Sequence, residues 1–317
     1  MNYGKFAIVG AGAVGGYFAA VLARAGFWIG IVARGEHLRA IQESGLQVRS
    51  VDEDFVVKVA MVTDAAAEIG PVDAVIVAVK TWQVQEAAHL MKPLLGPQTK
   101  VLPLQNGVEA SGQLQEILGQ QHVLIGLCHI ISRLDSPGHI HHVGVKPTIF
   151  MGESDDSELS PTSHALADAL IASGVVVHTP PRIQHAIWEK LLFLAPLSGV
   201  SAVARATVGE IRRCEPTRRL IEQSMREVVS VANATGVSIG DEAVSRSRVL
   251  MESLPEHATV SMQRDIVAGR PSEVEAIIGA VIRLGREGGV PTPAMDCIYA
   301  ALLPQEQRAR NATGGAV

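Results

Sequence analysis

A lysine stands where a lysine is costly. In Ala186-Ile187-Trp188-Glu189-Lys190-Leu191-Leu192-Phe193-Leu194, the residues three and four positions either side of Lys190 are Ala186, Ile187, Phe193 and Leu194, all apolar. On a helix these are its neighbours, and an ammonium among them has to be paired or put to use. Desolvation lowers a lysine pKa and eases release of its proton, which is what a general acid needs. A lysine snorkelling from the rim of a packed face is the plainer reading of the same segment. Glu273, in Arg270-Pro271-Ser272-Glu273-Val274-Glu275-Ala276, is an available partner. Ser272 is expected to cap a helix carrying Glu273 and Glu275 in its first turn, and that placement accounts for both acids without chemistry. Ser261, in Ser261-Met262-Gln263-Arg264-Asp265, is a further polar candidate.

The other constellation is Gly10-Ala11-Gly12-Ala13-Val14-Gly15. This GxGxxG follows an apolar strand and opens a helix, the context in which it binds a dinucleotide. Gly10 allows the tight turn, Gly12 lets a pyrophosphate approach the backbone, and Gly15 lets helix and strand pack. The helix N-terminus, with Ala13 and Val14, supplies amide donors to the anion. The next strand ends Ile31-Val32-Ala33-Arg34, with no acid at its end. An arginine pairs with a 2'-phosphate, so NADP(H) is the expected cofactor. A solvated surface arginine is the alternative, and nearby Glu36 weakens the case. Lys80 and Asn106 each follow an apolar run, at strand ends where open α/β sheets bind ligands. They are read as a cation and an amide for cofactor or substrate, although Asn106-Gly107 is also a common turn dipeptide.

Elements must hold these residues in place. Apolar runs at 6–9, 28–32, 74–79, 101–104 and 123–127 alternate with helical patterns at 14–25, 35–42, 84–94 and 109–118. Strand and helix in alternation predict a doubly wound, parallel α/β sheet. Around Ser136-Pro137-Gly138, runs at 139–143 and 148–151 read as a hairpin extending that sheet. A helix at 163–172 and a strand at 175–178 follow, before Pro180-Pro181. Beyond lie helical patterns at 183–203, 216–234, 241–252, 272–287 and 294–303, then a tail from Gln305 expected to fray. The expected organisation is an N-terminal Rossmann domain, residues 1–181, and a mostly helical substrate and catalytic domain, residues 182–317.

Composition narrows the function. With 27 Lys and Arg against 32 Asp and Glu, the formal charge is -5, so electrostatic nucleic-acid binding is not expected. No apolar run approaches the roughly 18–20 residues of a membrane span, and no secretory signal is visible at the N-terminus. A cytoplasmic protein without nucleic-acid or membrane partners is expected. Cys128, Cys214 and Cys297 fit neither a disulfide framework nor a metal site. Alternation separates His142 from His139 and His141, so no metal is expected there. No GxSxG elbow or GxxxxGK[ST] loop is present.

In its ordered motifs the chain resembles the ketopantoate reductase (2-dehydropantoate 2-reductase) family. These are GAGAVGGYFA, VAVKTWQ around Lys80, LQNG with Asn106, PGHIHHVG, WEKLLF with Lys190, TVGEI, and SMQRDIVAGRPSEVEAIIG. The resemblance implies a Rossmann domain and a helical domain enclosing a cleft, with NADPH as hydride donor. It implies Lys190 as general acid, Glu273 as its partner and as part of the cofactor site, and Ser261 as a substrate ligand. The family typically places asparagines four and eight residues after the lysine, where this chain has Leu194 and Ser198. It also often has asparagine at the positions of Val208 and Ala258. The expected pocket, with Asn106, Lys190, Leu194, Ser198 and Ser261 on the substrate, is therefore more apolar. The expected reaction is NADPH-dependent reduction of a 2-oxo acid to a 2-hydroxy acid, ketopantoate to pantoate by resemblance. Two alternatives stay open: a reductase of a bulkier apolar 2-oxo acid, of the D-2-hydroxyacid dehydrogenase type, and a non-catalytic NADP-binding regulator. A small-molecule substrate is the expected partner, with a homodimer left open.

Overall fold

The computed structural model describes residues 4–312. In chain order the strands are β1 (Lys5–Val9), β2 (Trp28–Val32), β3 (Leu46–Arg49), β4 (Phe55–Val57), β5 (Met61–Thr63), β6 (Val72–Val77) and β7 (Leu95–Pro103). They continue as β8 (Ile125–His129), β9 (Ser132–Ser136), β10 (His139–His142), β11 (Thr148–Gly152) and β12 (Val176–His178). Strands β5-β2-β1-β6-β7 form one sheet in that order, every pairing parallel. Its central strands are continuously apolar because both faces are covered. Phe6 and Ile8 point into the core with Phe18 and Leu22 of helix α1 (Ala13–Arg24), while Ala7 and Val9 point into another with Val84, Ala88 and Met91. That division follows the two-residue period of a strand. Strand order reverses beside β1, between β2 and β6, so the glycine turn after β1 lies at the switch point where such sheets bind ligands.

The expected hairpin is rearranged. The turn at Ser136-Pro137-Gly138 joins β9 to β10, with Gly138 at φ 79°. Strand β10 also pairs in parallel with β3, giving a separate sheet β4-β3-β10-β9. Strand β11 lies in a third sheet, β12-β11-β8. Alternation identifies each run as a strand but says nothing about its partner. The short strands β3, β4 and β5 carry too little patterning to have been expected.

Two units emerge from the contacts, residues 1–105 with 110–183, and residues 106–109 with 184–317. Helices α2 (Gly35–Ser44), α3 (Ala66–Ile69), α4 (Val84–Met91), α5 (Ala110–Leu118) and α6 (Pro161–Ala172) complete the first. The second is helical, and nearly all of α7 (Ile183–Ala204) belongs to it. It is followed by α8 (Val208–Arg213), α9 (Glu215–Ala234), α10 (Asp241–Ser253), α11 (Ser261–Val267), α12 (Ala280–Glu287) and α13 (Pro293–Ala312). Helix α7 is long and apolar enough to cross a membrane by length and composition, contrary to the expectation that no stretch was. Two-thirds of its most apolar window is buried inside the protein, and Leu191, Leu192, Ala195 and Leu197 pack in the core of this unit. A helix apolar on most sides is what the centre of a helical core needs.

Two further expectations fail at the end of the chain. The stretch 272–287 is not one α-helix: Ser272 and Glu273 precede the helix, Glu275–Gly279 is a π-helical turn, and α12 follows. The tail does not fray at Gln305. Helix α13 runs on through Pro304 to Ala312 because Glu306, Ala309 and Arg310 are buried. The last residues of that expected tail, 313–317, lie outside the described residues.

Candidate active site

The glycine turn has the geometry that a diphosphate requires. Gly10 sits at φ 92°, and a Cβ there would lie 2.7 Å from both the Val79 side chain and its backbone nitrogen. A Cβ on Gly15 would come within 2.1 Å of the Gly10 carbonyl oxygen, so helix and turn meet only without one. Gly12 differs, since nothing lies within 4 Å of the place its Cβ would take. It also ends α1 without a side-chain cap. The first turn of α1, which includes Ala13 and Val14, is thus left without a side-chain cap beside open space, as an anion site at a helix N-terminus requires. Sequence reasoning missed His37. Its Nδ1 accepts from the Gly138 amide at 3.0 Å, so its Nε2 carries the proton and donates to Ala11 O at 2.6 Å, holding the glycine turn.

Arg34 is the N-terminal flank of α2, exposed at the end of β2. The sequence shows no acid at that strand end, yet the fold supplies one: Arg34 Nη1 pairs with Glu86 Oε1 of α4 at 2.8 Å. Strand β6 ends at Val77, so Lys80 lies beyond it, at the start of a helical turn over Thr81–Gln83. Its ammonium stands 5.9 Å from the centre of the Trp82 ring.

In the second unit, Lys190 projects from α7 and is half-buried, as are Ala186, Phe193 and Leu194. Ile187 is buried. The lysine thus lies on the incompletely covered side of an otherwise enclosed helix. Pro196, in the turn after it, has no N–H for the Leu192 carbonyl, so the helix ladder loses a rung there. Ser198 is fully buried, and its hydroxyl has no hydrogen-bond partner among the described residues. Val208 is 1% exposed in the helical core and presents no surface to a substrate, contrary to the expectation that it makes the pocket apolar. Ala258 is half-buried.

Asn106 Nδ2 donates to Glu273 Oε2 at 2.9 Å. This makes one site of two residues singled out separately in the sequence. Gly107, at φ 92°, permits the approach, for a Cβ would sit 2.5 Å from the Ala276 carbonyl oxygen. Glu109 then pairs with Arg283 at 2.7 Å, and Arg283 with Glu275 at 3.1 Å. Tyr299 donates to Glu275, and burial, then that carboxylate, push its phenol up to about 12. No sequence spacing signals this network. Ser272 does not cap a helix over Glu273: its hydroxyl donates to Glu306 Oε2 at 2.6 Å, a buried acceptor stronger than a helix end. Ser261 is exposed at the first position of α11. Among the described residues, no group of three His, Cys, Asp or Glu is arranged to hold a metal ion.

Residues 6–156 match the family described as ketopantoate reductase PanE/ApbA, and residues 182–306 match its C-terminal part. The chain belongs to the ketopantoate reductase family. It is 31% identical to the 2-dehydropantoate 2-reductase of Nostoc sp., over 99% of this chain and 98% of that protein. The 2-dehydropantoate 2-reductase of Mesorhizobium japonicum is 33% identical, over 93% and 96% respectively. Among solved structures, a PanE/ApbA family ketopantoate reductase from Ralstonia eutropha superposes with a TM-score of 0.88 at 31% identity. That match covers 96% of this chain and 99% of the other. A D-mandelate dehydrogenase, at 23% identity and TM-score 0.86, shares the fold over 96% of this chain and 99% of its own.

Proposed function

We propose that this protein is a ketopantoate reductase, reducing the 2-oxo acid to pantoate with NADPH. One observation carries the reading: nearly the whole chain aligns with 2-dehydropantoate 2-reductases at 31–33% identity. The glycine turn supports the cofactor, because the open space over Gly12 and the uncapped amides after it suit a diphosphate. Gly10, Gly12, Ala13, Val14 and Gly15 hold the diphosphate, and Arg34 takes the 2'-phosphate. Lys80 adds a cation, with Asn106 and Glu273 towards the nicotinamide. When bound, the cofactor supplies a hydride to the C2 carbonyl.

The chain's own residues do the rest. Lys190 donates its proton to the carbonyl oxygen as negative charge develops there. Glu273 keeps that lysine charged and oriented, and Asn106 holds Glu273. Ser261 binds the carboxylate, while Leu194 and Ser198 shape the space around the rest of the substrate. The activity is cytoplasmic and belongs to pantothenate biosynthesis.

Following NADPH absorbance with ketopantoate, its deoxy analogue, 2-oxoisovalerate and phenylglyoxylate, with NADH as control, tests the reading. Ketopantoate is expected to be preferred. Preference for the apolar acids would make the protein a different 2-hydroxy-acid dehydrogenase, and NADPH binding without oxidation by any of them would overturn the catalytic reading. Lys190→Ala should cut turnover by about 10²–10⁴-fold with NADPH binding retained.

A further inference from the structure

We propose that Glu306 and Arg310 are positioning residues for Glu273, acting through Ser272 from the last helix of the chain; this rests on the role given to Glu273 above. Ser272 is completely buried. Its backbone N–H donates to both Glu306 oxygens, at 3.1 and 2.9 Å, and its hydroxyl to Oε2 at 2.6 Å. Its carbonyl accepts from Arg310 Nη2 at 3.1 Å. Arg310 Nε in turn pairs with Glu306 Oε1 at 2.7 Å, the two side chains being 8% and 0% exposed. Every polar group of the residue before Glu273 is therefore held by one buried ion pair.

Glu273 needs an anchor of this kind. It precedes the π-helical turn, and no helical ladder runs through the segment before it. On its far side Val274 is completely buried and the Ile277 amide donates to Glu273 O at 2.9 Å. The backbone at Glu273 is thus gripped on both sides, and from it the buried side chain sets its carboxylate on the Asn106 amide. For stability alone, well-packed apolar residues serve as well as a buried ion pair. What the charges add is direction, since hydrogen bonds to ionised groups are stronger and geometrically more demanding than neutral ones.

A double-mutant cycle on the full chain, read as kcat with NADPH and ketopantoate alongside Tm, tests this. Glu306→Gln is expected to lower kcat about tenfold in the parent and less than about twofold in a Glu273→Gln background, because residues acting as a unit are non-additive. Ser272→Ala, which removes only one of the hydrogen bonds, decides the matter if Glu306→Gln fails to fold; a drop of about threefold is expected, absent again without Glu273. Ser272→Thr, which keeps the hydroxyl, should restore the rate. An equal factor in both backgrounds, or a lowered Tm with kcat intact, overturns the positioning role. If Glu273→Gln itself leaves kcat unchanged, the role of Glu273 falls and this one with it. If Glu273→Gln lowers kcat while Glu306→Gln and Ser272→Ala do not, only the positioning role falls.

Discussion

Asn106 and Glu273 lie 167 positions apart in the chain, and the amide of the first donates to the carboxylate of the second at 2.9 Å. On the reading proposed above, this bond holds the residue that partners Lys190. Asn106→Ala is expected to lower kcat/KM about tenfold, the worth of one hydrogen bond to a charged group. Asn106→Asp should be worse at neutral pH, because two facing carboxylates repel. Like charges raise one pKa of such a pair, so its kcat/KM should recover relative to the Ala variant as pH falls and the pair gains a proton. A pH profile of the three proteins checks this, and a flat ratio between the variants would refute it.

Arg34 and Glu86 give a second prediction. The pair is exposed on both sides, 60% and 59%, so its own contribution to stability is small. Its consequence is for the cofactor, because on the proposed role of Arg34 a 2'-phosphate competes with Glu86 for the guanidinium. Arg34→Ala should reduce the preference for NADPH over NADH by about tenfold or more. Glu86→Gln should lower the KM for NADPH and leave that for NADH unchanged. Steady-state KM values for both cofactors decide the point.

The glycines of the turn should separate by role. At Gly15 an added methyl collides with the Gly10 carbonyl, so Gly15→Ala should lower Tm and abolish NADPH binding together. At Gly12 the methyl meets nothing, so Gly12→Ala should change stability by only about 0.5 kcal/mol while weakening NADPH binding. Thermal unfolding and fluorescence titration of the two variants measure both quantities.

Acid stability should report on Glu153. Burial pushes its carboxyl up, but hydrogen bonds from Lys100, Ser163 and Ser160 outweigh burial and hold it below the ordinary value. A folded pKa below the unfolded one stabilises the protein above the unfolded value, and that stability is lost as pH falls through the folded pKa. Glu153→Gln should therefore cost about 1–3 kcal/mol at neutral pH, with the difference from the parent shrinking in acid. Denaturant unfolding across that range would show a constant difference if the carboxylate were immaterial.

The glycine turn, the central strands and the apolar surroundings of Lys190 were legible in the sequence because each is written within one turn or one strand. The periodicity of 28–32 matched β2 residue for residue. The hairpin partner of 148–151 was not legible, since alternation encodes which face is buried and not which strand lies beside it. The last helical pattern read as ending at 303, with a tail fraying from Gln305, and burial of Glu306 carries α13 on to Ala312. Ser272 read as the cap of a helix with Glu273 and Glu275 in its first turn, and its hydroxyl went instead to a carboxylate 34 residues away.

The sequence by itself determined the α/β and helical halves, the dinucleotide turn and the family, because periodicity and short motifs are local properties that survive any arrangement of the rest. Only the tertiary structure decided that Glu86 meets Arg34, that Asn106 meets Glu273, and that Glu306 and Arg310 grip Ser272. A charge or an amide can be satisfied by any complementary group that the packed backbone brings within about 3 Å, and the distance along the chain leaves no trace of which one that is.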